Sequence, residues 1–290
     1  MNHVNHLIDH VYGMYCFGRS IAQDIVERTT GIPIVPVKEV ENEPWPTITA
    51  QIYRGTSSER VNGKIRIATY NCYEHRLENK DTLKHLIDHH DIILLQETRP
   101  RHHEKWRWLP NELHSIYVPD NFYNRKDPTD TGGNMILSRL PFEDSWSVTL
   151  PVASWDYHYC EKKQHKIRRN IVRVQTEGII VGNTHLDAWC SPSSRRKQLA
   201  PHITSIDHRQ PTILGGDFNL LYRFFGLEEP VFETLQKQQL QSTMGDARPK
   251  KLSHACHYIW HSRQFKKEKS TFLPLKGSDH YPLSATLHRE

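Results

Sequence analysis

The segment that most restricts the fold of this chain is an apolar run that ends in two glycines and a pair of polar side chains. Residues 212–221 read Thr-Ile-Leu-Gly-Gly-Asp-Phe-Asn-Leu-Leu. Ile213 and Leu214 end the run as a buried strand would, and the glycines permit a sharp turn that residues with a Cβ resist. Asp217 and Asn219 are two residues apart, so on extended backbone their side chains leave the same face. Together they can orient a water molecule and hold an anionic oxygen.

On its own, a Gly-Gly-Asp-x-Asn motif is more often an Asx-rich turn than a functional site. Four further polar clusters change this interpretation, because each of them also follows an apolar run. They are Asn71, Glu97, His185-Leu186-Asp187 and Asp279-His280. The exits of strands in a sandwich of sheets converge on one rim, where sites are commonly built. The clusters contain acids, amides and histidines but no activated Ser or Cys, a set suited to a hard divalent cation and a phosphate.

From Lys64 onward, the apolar pattern alternates between strands and amphipathic helices. It predicts strands over 65–70, 91–96, 135–138, 171–176, 178–184, 213–214 and 281–287, and helices over 80–90, 194–206 and 231–241. We expect a polar loop over residues 98–131 and a hairpin over 171–184. This order of elements predicts an α/β domain over residues 64–290.

Residues 1–63 differ from the rest of the chain. An apolar stripe at helical spacing begins at Val4, a second helical pattern covers residues 20–28, and residues 32–46 carry four prolines. We interpret the segment as a helical and extended appendage packed on the main domain. A partner-docking or membrane-surface helix is the alternative, which we favour less because the polar face is rich in His and Asn instead of Lys.

Composition narrows the class of protein and its compartment. The chain has 290 residues, 37% of them hydrophobic, and no apolar run approaches the roughly 20 residues that span a bilayer. Five cysteines are odd in number and scattered, which favours reduced thiols, and no secretory signal is expected at the N-terminus. We therefore expect a cytoplasmic protein of undetermined oligomeric state. The net charge of +5 suits an anionic partner without identifying it.

The polar clusters and their neighbours resemble the endonuclease/exonuclease/phosphatase superfamily, which has the DNase I-like fold. The matching pieces occur in the family's order. They are Thr69-Tyr70-Asn71, Leu95-Gln96-Glu97, residues 133–141, Asn183-Thr184-His185-Leu186, Gly216-Asp217-Phe218-Asn219 and Ser278-Asp279-His280. The resemblance begins near Lys64 and leaves the N-terminal segment unexplained. It implies a four-layered α/β/β/α sandwich, with two mixed sheets face to face and helices outside.

The resemblance also implies a metal site. Glu97 would be the principal ligand of Mg²⁺, with Asn71 beside it and Asp279 near the metal. Mn²⁺ is an expected substitute. Mg²⁺ keeps several waters and takes only one or two carboxylates, which agrees with the small number of acids in the matched motifs.

Four further residues would carry out the chemistry in members of this superfamily. Asp217 would orient or deprotonate the attacking water, and Asn219 would hold the phosphate or the nucleophile. His280 would contact the scissile phosphate, and His185 would donate a second hydrogen bond to it. Such contacts stabilise the charge that develops on the phosphate oxygens during in-line attack, typically by a few kcal/mol each.

One position departs from the family's pattern. Members usually carry an Asp in the penultimate strand that orients the catalytic histidine of the final Ser-Asp-His, but here His257 occupies the matching place. The sequence has no aspartate between Asp246 and Asp279. An imidazole accepts a hydrogen bond but supplies no negative charge, so His257 would orient His280 less strongly than the usual Asp.

Two stretches of the sequence bear on the substrate. Basic and aromatic residues alternate over 155–169 and again over 189–197, a pattern suited to phosphates and stacked bases, although a solvated loop has the same composition. We expect Asn134, Arg168, Arg169 and Trp189 to contact the substrate. A phosphodiester in nucleic acid is the favoured substrate, and a phospholipid or inositol phosphate is the alternative. A third reading is a nucleic-acid- or metal-binding module with weakened catalysis, motivated by His257.

Overall fold

A computed structural model describes the chain from residue 50 to its end, with gaps. The described residues are 50–72, 80–99, 109–124, 127–151, 157–160, 163–166, 169–188, 190–204, 206–207, 209–246, 254–275 and 277–290, without the side chains of 121–130 and 157–166. The helices predicted within residues 1–49 lie outside this description.

The described residues contain fifteen strands and four helices. The strands are β1 (Gln51–Tyr53), β2 (Lys64–Asn71), β3 (Ile92–Thr98), β4 (His114–Asn124), β5 (Asp127–Ser138), β6 (Asp144–Thr149), β7 (Tyr157–Cys160), β8 (Lys163–Lys166), β9 (Asn170–Thr176), β10 (Ile179–His185), β11 (Thr212–Asp217), β12 (Gln241–Ser242), β13 (His257–His261), β14 (Phe265–Phe272) and β15 (Leu283–Arg289). The helices are α1 (Lys80–His89), α2 (Pro192–Ile203), α3 (Leu221–Phe224) and α4 (Pro230–Lys237).

Two mixed sheets hold most of the strands. The larger has seven strands in the order β1-β4-β5-β3-β2-β15-β14, and the smaller has six in the order β12-β13-β11-β10-β9-β6. In each sheet one central pair is parallel, β2 with β3 and β10 with β11, and the other pairs are antiparallel. Strands β7 and β8 form a separate hairpin.

Three apolar clusters join the layers. One lies between the sheets and contains residues of both, such as Ile67 and Leu94 of the larger sheet and Val181 and Ile213 of the smaller. A second joins the larger sheet to α1, and a third joins the smaller sheet to α2 and α4. The order of layers is therefore helix, sheet, sheet, helix, as the resemblance implies.

Hydrophobic periodicity explains the elements nearest the site. In β2, Lys64 and Arg66 are exposed while Ile65 and Ile67 are buried, the alternation of a strand covered on one face. The rest of β2 is buried throughout, because both of its faces are covered as it approaches the rim. Helix α1 buries Leu83, Leu86 and Ile87, which share one face at spacings of three and four residues.

The predicted polar loop over residues 98–131 is wrong, because this region contributes β4 and the first part of β5 to the larger sheet. Pro119, Asp120 and Asn121 read as turn residues, yet they lie within β4 at an irregularity of the pairing between Pro119 and Asn121. The irregularity lets the strand accommodate residues that ordinary ladders exclude.

Two further strands change the predicted organisation. Strand β14 follows β13, so His257 opens the third strand from the end and not the penultimate one. Strand β1 pairs with β4 at the edge of the larger sheet, and we therefore group Gln51–Tyr53 with the sandwich instead of the N-terminal appendage.

The longest helix that the structure describes, α2, has 12 residues, so no described helix is long and apolar enough to cross a membrane. The cysteine side chains that the structure describes, Cys72, Cys190 and Cys256, are buried.

Candidate active site

Three neighbouring strands of the smaller sheet put His185, Asp217 and His257 in one row. His185 is paired with Asp217 across β10 and β11, and Asp217 is paired with His257 across β11 and β13. Paired residues on adjacent strands point to the same face of a sheet. The two imidazoles therefore flank the carboxylate on the face that looks toward the larger sheet.

The larger sheet contributes Asn71 at the end of β2 and Glu97 near the end of β3. Gln96 points into the space between the sheets, where its amide donates to Asn183 Oδ1 at 2.7 Å. Regular alternation would aim Glu97 away from that space, but its φ of 53° and the shifted register between Leu95 and Thr98 interrupt the alternation. This bulge turns the Glu97 carboxylate toward the rim.

Asn71 joins the two sheets across the site. Its side-chain nitrogen donates to Glu97 Oε1 at 2.9 Å and to Asp217 Oδ2 at 3.0 Å. Its backbone N–H donates to His257 Nε2 at 3.2 Å. One residue thus contacts a carboxylate from each sheet and an imidazole.

Asp217 lies at the centre of three imidazoles. Its Oδ2 is 4.0 Å from His185 Nε2, 4.0 Å from His257 Nε2 and 3.8 Å from His280 Nδ1. Burial opposes ionisation of this side chain, yet the pKa of Asp217 lies below its ordinary value, because positive charge on any of the three imidazoles and the hydrogen bond from the Asn71 amide favour the carboxylate. Asp217 is therefore a buried anion.

The backbone around Asp217 holds this carboxylate in place. Gly216 has a φ of 146°, and a Cβ there would lie 2.0 Å from the backbone oxygen of Thr184. Asn219, with a φ of 52°, donates its backbone N–H to Asp217 Oδ1 at 3.1 Å and its amide to the Leu186 oxygen at 2.8 Å. The glycine and the left-handed Asn219 together form the turn that the sequence predicts after β11.

A buried chain of hydrogen bonds stands behind His185. Arg169 Nη1 donates to His185 Nδ1 at 3.1 Å, and Arg169 Nε donates to Asp187 Oδ1 at 2.9 Å. Gln198 of α2 donates to the other oxygen of Asp187 at 2.8 Å, and Asp120 Oδ2 lies 3.6 Å from Arg169 Nη1. Since a guanidinium can only donate, Nδ1 of His185 must be the acceptor and Nε2 carries the proton.

His185 is a neutral donor in this arrangement. Burial lowers its pKa well below the ordinary value, the adjacent Arg169 charge lowers it further, and Asp217 opposes both. The protonated Nε2 points toward the space between Glu97 Oε1, at 3.9 Å, and Asp217 Oδ2.

His257 is also neutral. Burial lowers its pKa to about 3, and the nearby Asp217 only partly offsets this. Its Nε2 accepts from Asn71, so the ring proton is on Nδ1. The ring meets the ring of His280 edge-on, with centroids 4.9 Å apart. The structure thus places His257 beside His280, as the alignment of motifs predicts, but the acceptor nitrogen of His257 is used by the opposite sheet.

The loop before β15 brings in the remaining pair. His280 Nε2 is 3.7 Å from Asp279 Oδ1, and Ser278 Oγ donates to that same oxygen at 3.1 Å. The Asp279 side chain is 44% exposed and the His280 side chain 15%, whereas Asp217 is 1% exposed. His280 and Asp279 therefore form the solvent side of the site.

Two of the residues expected to contact the substrate, Asn134 and Arg169, are buried instead of lying at the surface. Asn134 is completely buried and donates its amide to Asn170, and Arg169 is buried behind His185. Arg195, one of the basic residues over 189–197, is buried and paired with Glu229. Arg168 and Trp189 lie outside the described residues.

The sequence does not predict a role for three supporting residues: Asp187, which it places only in the polar cluster with His185, and Asp120 and Gln198. Asp187 follows His185 by two residues, and that spacing was the one available signal. Asp120 and Gln198 come from distant segments, which only the folded chain brings to Arg169.

The residues at the rim fit a hard divalent cation. Glu97 Oε1 and Asp217 Oδ2, one from each sheet, converge on a single amide nitrogen of Asn71. Two carboxylates that share one donor define a region of negative potential, and a rotated Asn71 amide would add a third oxygen ligand. The Glu97 side chain is 20% exposed, so solvent reaches this group.

Known proteins of the same architecture identify the fold. A model of the endonuclease/exonuclease/phosphatase family matches residues 68–280. The chain has no significant match among curated protein sequences.

Solved structures align over most of the chain at low identity. An endonuclease/exonuclease/phosphatase family protein from Bacteroides thetaiotaomicron has 14% identity and a TM-score of 0.58, with 78% of this chain and 95% of that chain covered. A mannosyl-6-phosphatase from the same organism has 14% identity and a TM-score of 0.55, with 77% and 99% covered. TDP2 of D. rerio, in complex with a single-strand DNA product, has 13% identity and a TM-score of 0.53, with 78% and 100% covered.

The family model spans the strand residues of the site, from Asn71 through His257, and ends at His280. The structural alignments show the fold, and the family match covers more than half of the chain. This chain belongs to the endonuclease/exonuclease/phosphatase family.

Proposed function

We propose that the protein is a divalent-metal-dependent phosphoester hydrolase that directs in-line attack of water on a phosphodiester. The observation that carries this proposal is the Asp217 carboxylate, buried and ionised, at the centre of three imidazoles and linked through Asn71 to Glu97. A buried anion beside hydrogen-bond donors and a solvent-reachable carboxylate can orient water and hold a phosphate at the same time.

Asp217 orients the attacking water. Its Oδ1 is held by the Asn219 N–H, and its Oδ2 faces the imidazoles. Because the pKa of Asp217 lies below its ordinary value, this carboxylate accepts a hydrogen bond from water more readily than it retains a transferred proton. Its main effect is therefore to fix the direction of attack.

His185 and His280 stabilise charge on the phosphate. Arg169 obliges His185 to present its protonated Nε2 to the site. His280, on the more exposed loop, contacts the phosphate from the solvent side. Each such donor is worth on the order of 3 kcal/mol when it meets charge that develops only in the transition state.

Glu97 and Asn71 would hold the cation, with Asp279 close by on the loop before β15. When bound there, Mg²⁺ or Mn²⁺ supplies positive charge that offsets the charge on the phosphate and on the leaving oxygen. The protein's own contribution is the bulge at Glu97, which places a carboxylate at the rim instead of beneath the helix layer.

Nucleic acid is the substrate class that we propose. The supporting observations are the net charge of +5 and the basic and aromatic residues over 155–168 and 189–197, apart from the buried Arg195. The D. rerio TDP2 relative binds a single-strand DNA product. A phospholipid or inositol phosphate is the second candidate, and the mannosyl-6-phosphatase relative shows that the fold also carries phosphatases of sugars.

A substrate panel tests this proposal. Plasmid DNA, single-stranded RNA, an abasic duplex, sphingomyelin and a phosphoinositide are each incubated with Mg²⁺ or Mn²⁺, with and without chelator. We expect release of product from a nucleic acid that stops in chelator and resumes when metal is restored. Hydrolysis of a lipid substrate alone would transfer the proposal to the second class, and full activity in chelator would contradict the metal requirement.

A binding module with weakened catalysis is a second candidate function, favoured by one observation. The acceptor nitrogen of His257 is used by Asn71, and among the described residues Nδ1 of His280 has no hydrogen-bond partner. His280 therefore lacks the oriented acceptor that the family usually provides. Tight, metal-dependent binding of nucleic acid without product in the same panel would support this candidate.

A further inference from the structure

Two histidines lie one turn apart on helix α1, outside the candidate active site. His85 and His89 are four residues apart, which places their side chains next to each other on the same side of a helix. Their rings are stacked, with centroids 4.2 Å apart and an angle of 21° between the ring planes. His85 is partly exposed and His89 is exposed, so dissolved ions can reach both rings. Two imidazoles, the commonest metal ligands among side chains, are therefore held side by side at the surface.

A hydrogen bond of the His89 ring prepares its other nitrogen to bind an ion. Nδ1 of His89 lies 2.8 Å from the backbone oxygen of His85. Because a carbonyl oxygen only accepts, Nδ1 carries the proton, and Nε2 of the neutral ring keeps its lone pair. Histidines that bind a metal commonly donate the other ring N–H to a backbone carbonyl or a carboxylate, which fixes the ring. His89 thus already has the tautomer and the support of a ligand that binds through Nε2.

The neighbouring His90 shows what excludes a histidine from this role. Its Nδ1 also bonds to a carbonyl oxygen of the preceding turn, that of Leu86, at 2.9 Å. Its Nε2 is 2.8 Å from Ser284 Oγ, and the side chain is buried beside β15. Among the described residues, by contrast, no hydrogen bond uses Nε2 of His89 or either ring nitrogen of His85. Only the exposed pair has nitrogen lone pairs to offer to an ion.

The spacing of the two rings suits a chelated ion. An ion bound at about 2.0–2.1 Å from two imidazole nitrogens separates those nitrogens by about 3 Å. Nearly parallel rings with centroids 4.2 Å apart reach this spacing by a small tilt toward each other. Among the described residues, the one group of three metal-binding side chains within 4.8 Å of each other lies elsewhere. Water therefore fills the remaining positions around an ion on α1.

The donor set selects the class of ion. Imidazole nitrogen suits the late first-row transition ions, whose affinity for such ligands follows the order Ni²⁺ < Cu²⁺ > Zn²⁺, whereas Mg²⁺ prefers oxygen ligands and keeps much of its water. Asp81 and Asp88 are exposed one turn before and one turn after His85, and their negative charge favours any cation there. The pair thus differs in chemistry from the oxygen ligands at Glu97 and Asn71.

The pair also lies at the opposite end of the larger sheet from the candidate active site. Helix α1 ends at His89, and β3 starts three residues later at Ile92. Glu97 is five residues further along that strand, about 16 Å from Ile92 at the usual rise of a strand. An ion held by His85 and His89 is therefore separate from a cation at Glu97.

We propose that His85 and His89 form a chelating site on the surface of α1 for one late first-row transition ion, with Cu²⁺ bound most tightly. The ion links the last two turns of the helix. Because only the folded helix holds the two rings side by side, ion binding stabilises α1 and the larger sheet against which it packs. Neither the binding nor this stabilisation depends on hydrolysis at the rim.

The binding test uses the full chain and the Cu²⁺ complex of iminodiacetate. This chelator occupies part of the coordination sphere and leaves adjacent positions for two imidazoles, so sites that need three or more protein ligands are disfavoured. Electron paramagnetic resonance counts the bound equivalents. We expect the double variant His85→Gln/His89→Gln to bind one equivalent fewer than the wild type. Each single variant should bind that equivalent about tenfold or more weakly, because the second imidazole acts at a high effective concentration.

His288→Gln is the control, at an exposed histidine of β15 whose Nε2 already contacts Glu268, and it should keep the wild-type number of equivalents. Glutamine is a good helix former, so the α1 variants should fold. Equal stoichiometry and affinity in the wild type and the double variant would overturn the site. In urea unfolding, the ion should raise the midpoint of the wild type more than that of the double variant, and equal shifts would contradict the stabilisation of α1.

Discussion

The neutral His185 ring carries its proton on Nε2, because the Arg169 guanidinium can donate to Nδ1 but cannot accept from it. Arg169 is in turn held by Asp187, and Asp187 by Gln198. This series of hydrogen bonds leads from Gln198 on α2 through Asp187 and Arg169 to His185 in the site. A residue that counts as a basic surface group in the sequence thus acts as a positioning residue for a histidine.

Replacing Arg169 should impair the reaction without removing a group that contacts the phosphate. We expect Arg169→Lys to lower turnover by about ten- to hundredfold, because an ammonium cannot span Asp187 and His185 with fixed geometry. Nitrogen NMR of labelled His185 should show Nε2–H as the main tautomer in the wild type and a mixture in the variant. Arg173→Lys is the matched control, since Arg173 is also buried and contacts a different histidine, His202. An unchanged tautomer in Arg169→Lys would show that the guanidinium does not set it.

His257 gives a second prediction at this scale. His257→Asp places a carboxylate beside His280 and restores the family's usual partner, so we expect Mg²⁺-supported turnover to be retained or increased. His257→Ala removes both the contact with Asn71 and the packing against His280, and should lower turnover. Initial rates from pH 5 to 9 for the wild type and both variants provide the measurement. Three indistinguishable profiles would show that this position does not influence His280.

At the scale of the elements, two departures from regular strand geometry build the site. The bulge at Glu97 turns a carboxylate from the helix side of the larger sheet to the rim. The turn after β11 starts at Gly216, whose missing Cβ leaves room for the backbone of β10. The row of His185, Asp217 and His257 depends on this close approach.

The close approach at Gly216 can be tested by adding one methyl group. A Cβ at Gly216 would lie 2.0 Å from the Thr184 oxygen, so Gly216→Ala must push β10 and β11 apart and should cost several kcal/mol of stability or prevent folding. Gly245→Ala is the control, because its φ is also positive, at 63°, but nothing lies within 4 Å of the added Cβ. We expect the control to cost only about 1–2 kcal/mol in urea unfolding. Equal losses in the two variants would mean that strain in φ, and not the contact with β10, explains the effect.

The sequence predicts the elements of the site better than their contacts. Apolar runs that end in polar residues mark the exits of β2, β3, β10 and β11, and the structure brings those exits together. It does not predict β4, because Pro119-Asp120-Asn121 has the composition of a loop. The partners of Arg169 are also beyond its reach, since burial of a charge is decided by segments that are distant along the chain.

At the scale of the whole molecule, several histidines outside the site are buried. His90 directly follows α1, His202 is in the last turn of α2, and His261 ends β13. Burial lowers the pKa of His90 to about 4, although its hydrogen bond to the Leu86 oxygen opposes the shift. Burial also lowers the pKa of His202 well below its ordinary value and that of His261 to a smaller extent.

These histidines predict loss of stability in mild acid. A histidine whose pKa is lowered by folding stabilises the native state above its unfolded pKa near 6.5, and this contribution is lost as the pH falls toward the folded value. For His90 the loss should reach about 3 kcal/mol near pH 4. Urea unfolding between pH 7.5 and 4.5 should show the decline, and His90→Gln should reduce its slope. A slope that His90→Gln leaves unchanged would assign the acid sensitivity to other groups.

The packing of the two sheets brings one carboxylate from each sheet to the side-chain amide of Asn71. Glu97 comes from the larger sheet and Asp217 from the smaller, and Asn71 contacts both. Glu97→Gln and Asp217→Asn keep the size and shape of each side chain. Their charges can therefore be removed with little effect on the packing of the domain.

The metal-dependent turnover of Glu97→Gln and Asp217→Asn is the measurement that tests the proposed function most directly. With the substrate identified by the panel and Mg²⁺ at saturation, we expect each variant to lose on the order of a hundredfold or more in kcat while its melting temperature stays within a few degrees of the wild type. Turnover near the wild-type level in a folded Asp217→Asn protein, or turnover that persists in chelator, would contradict the account.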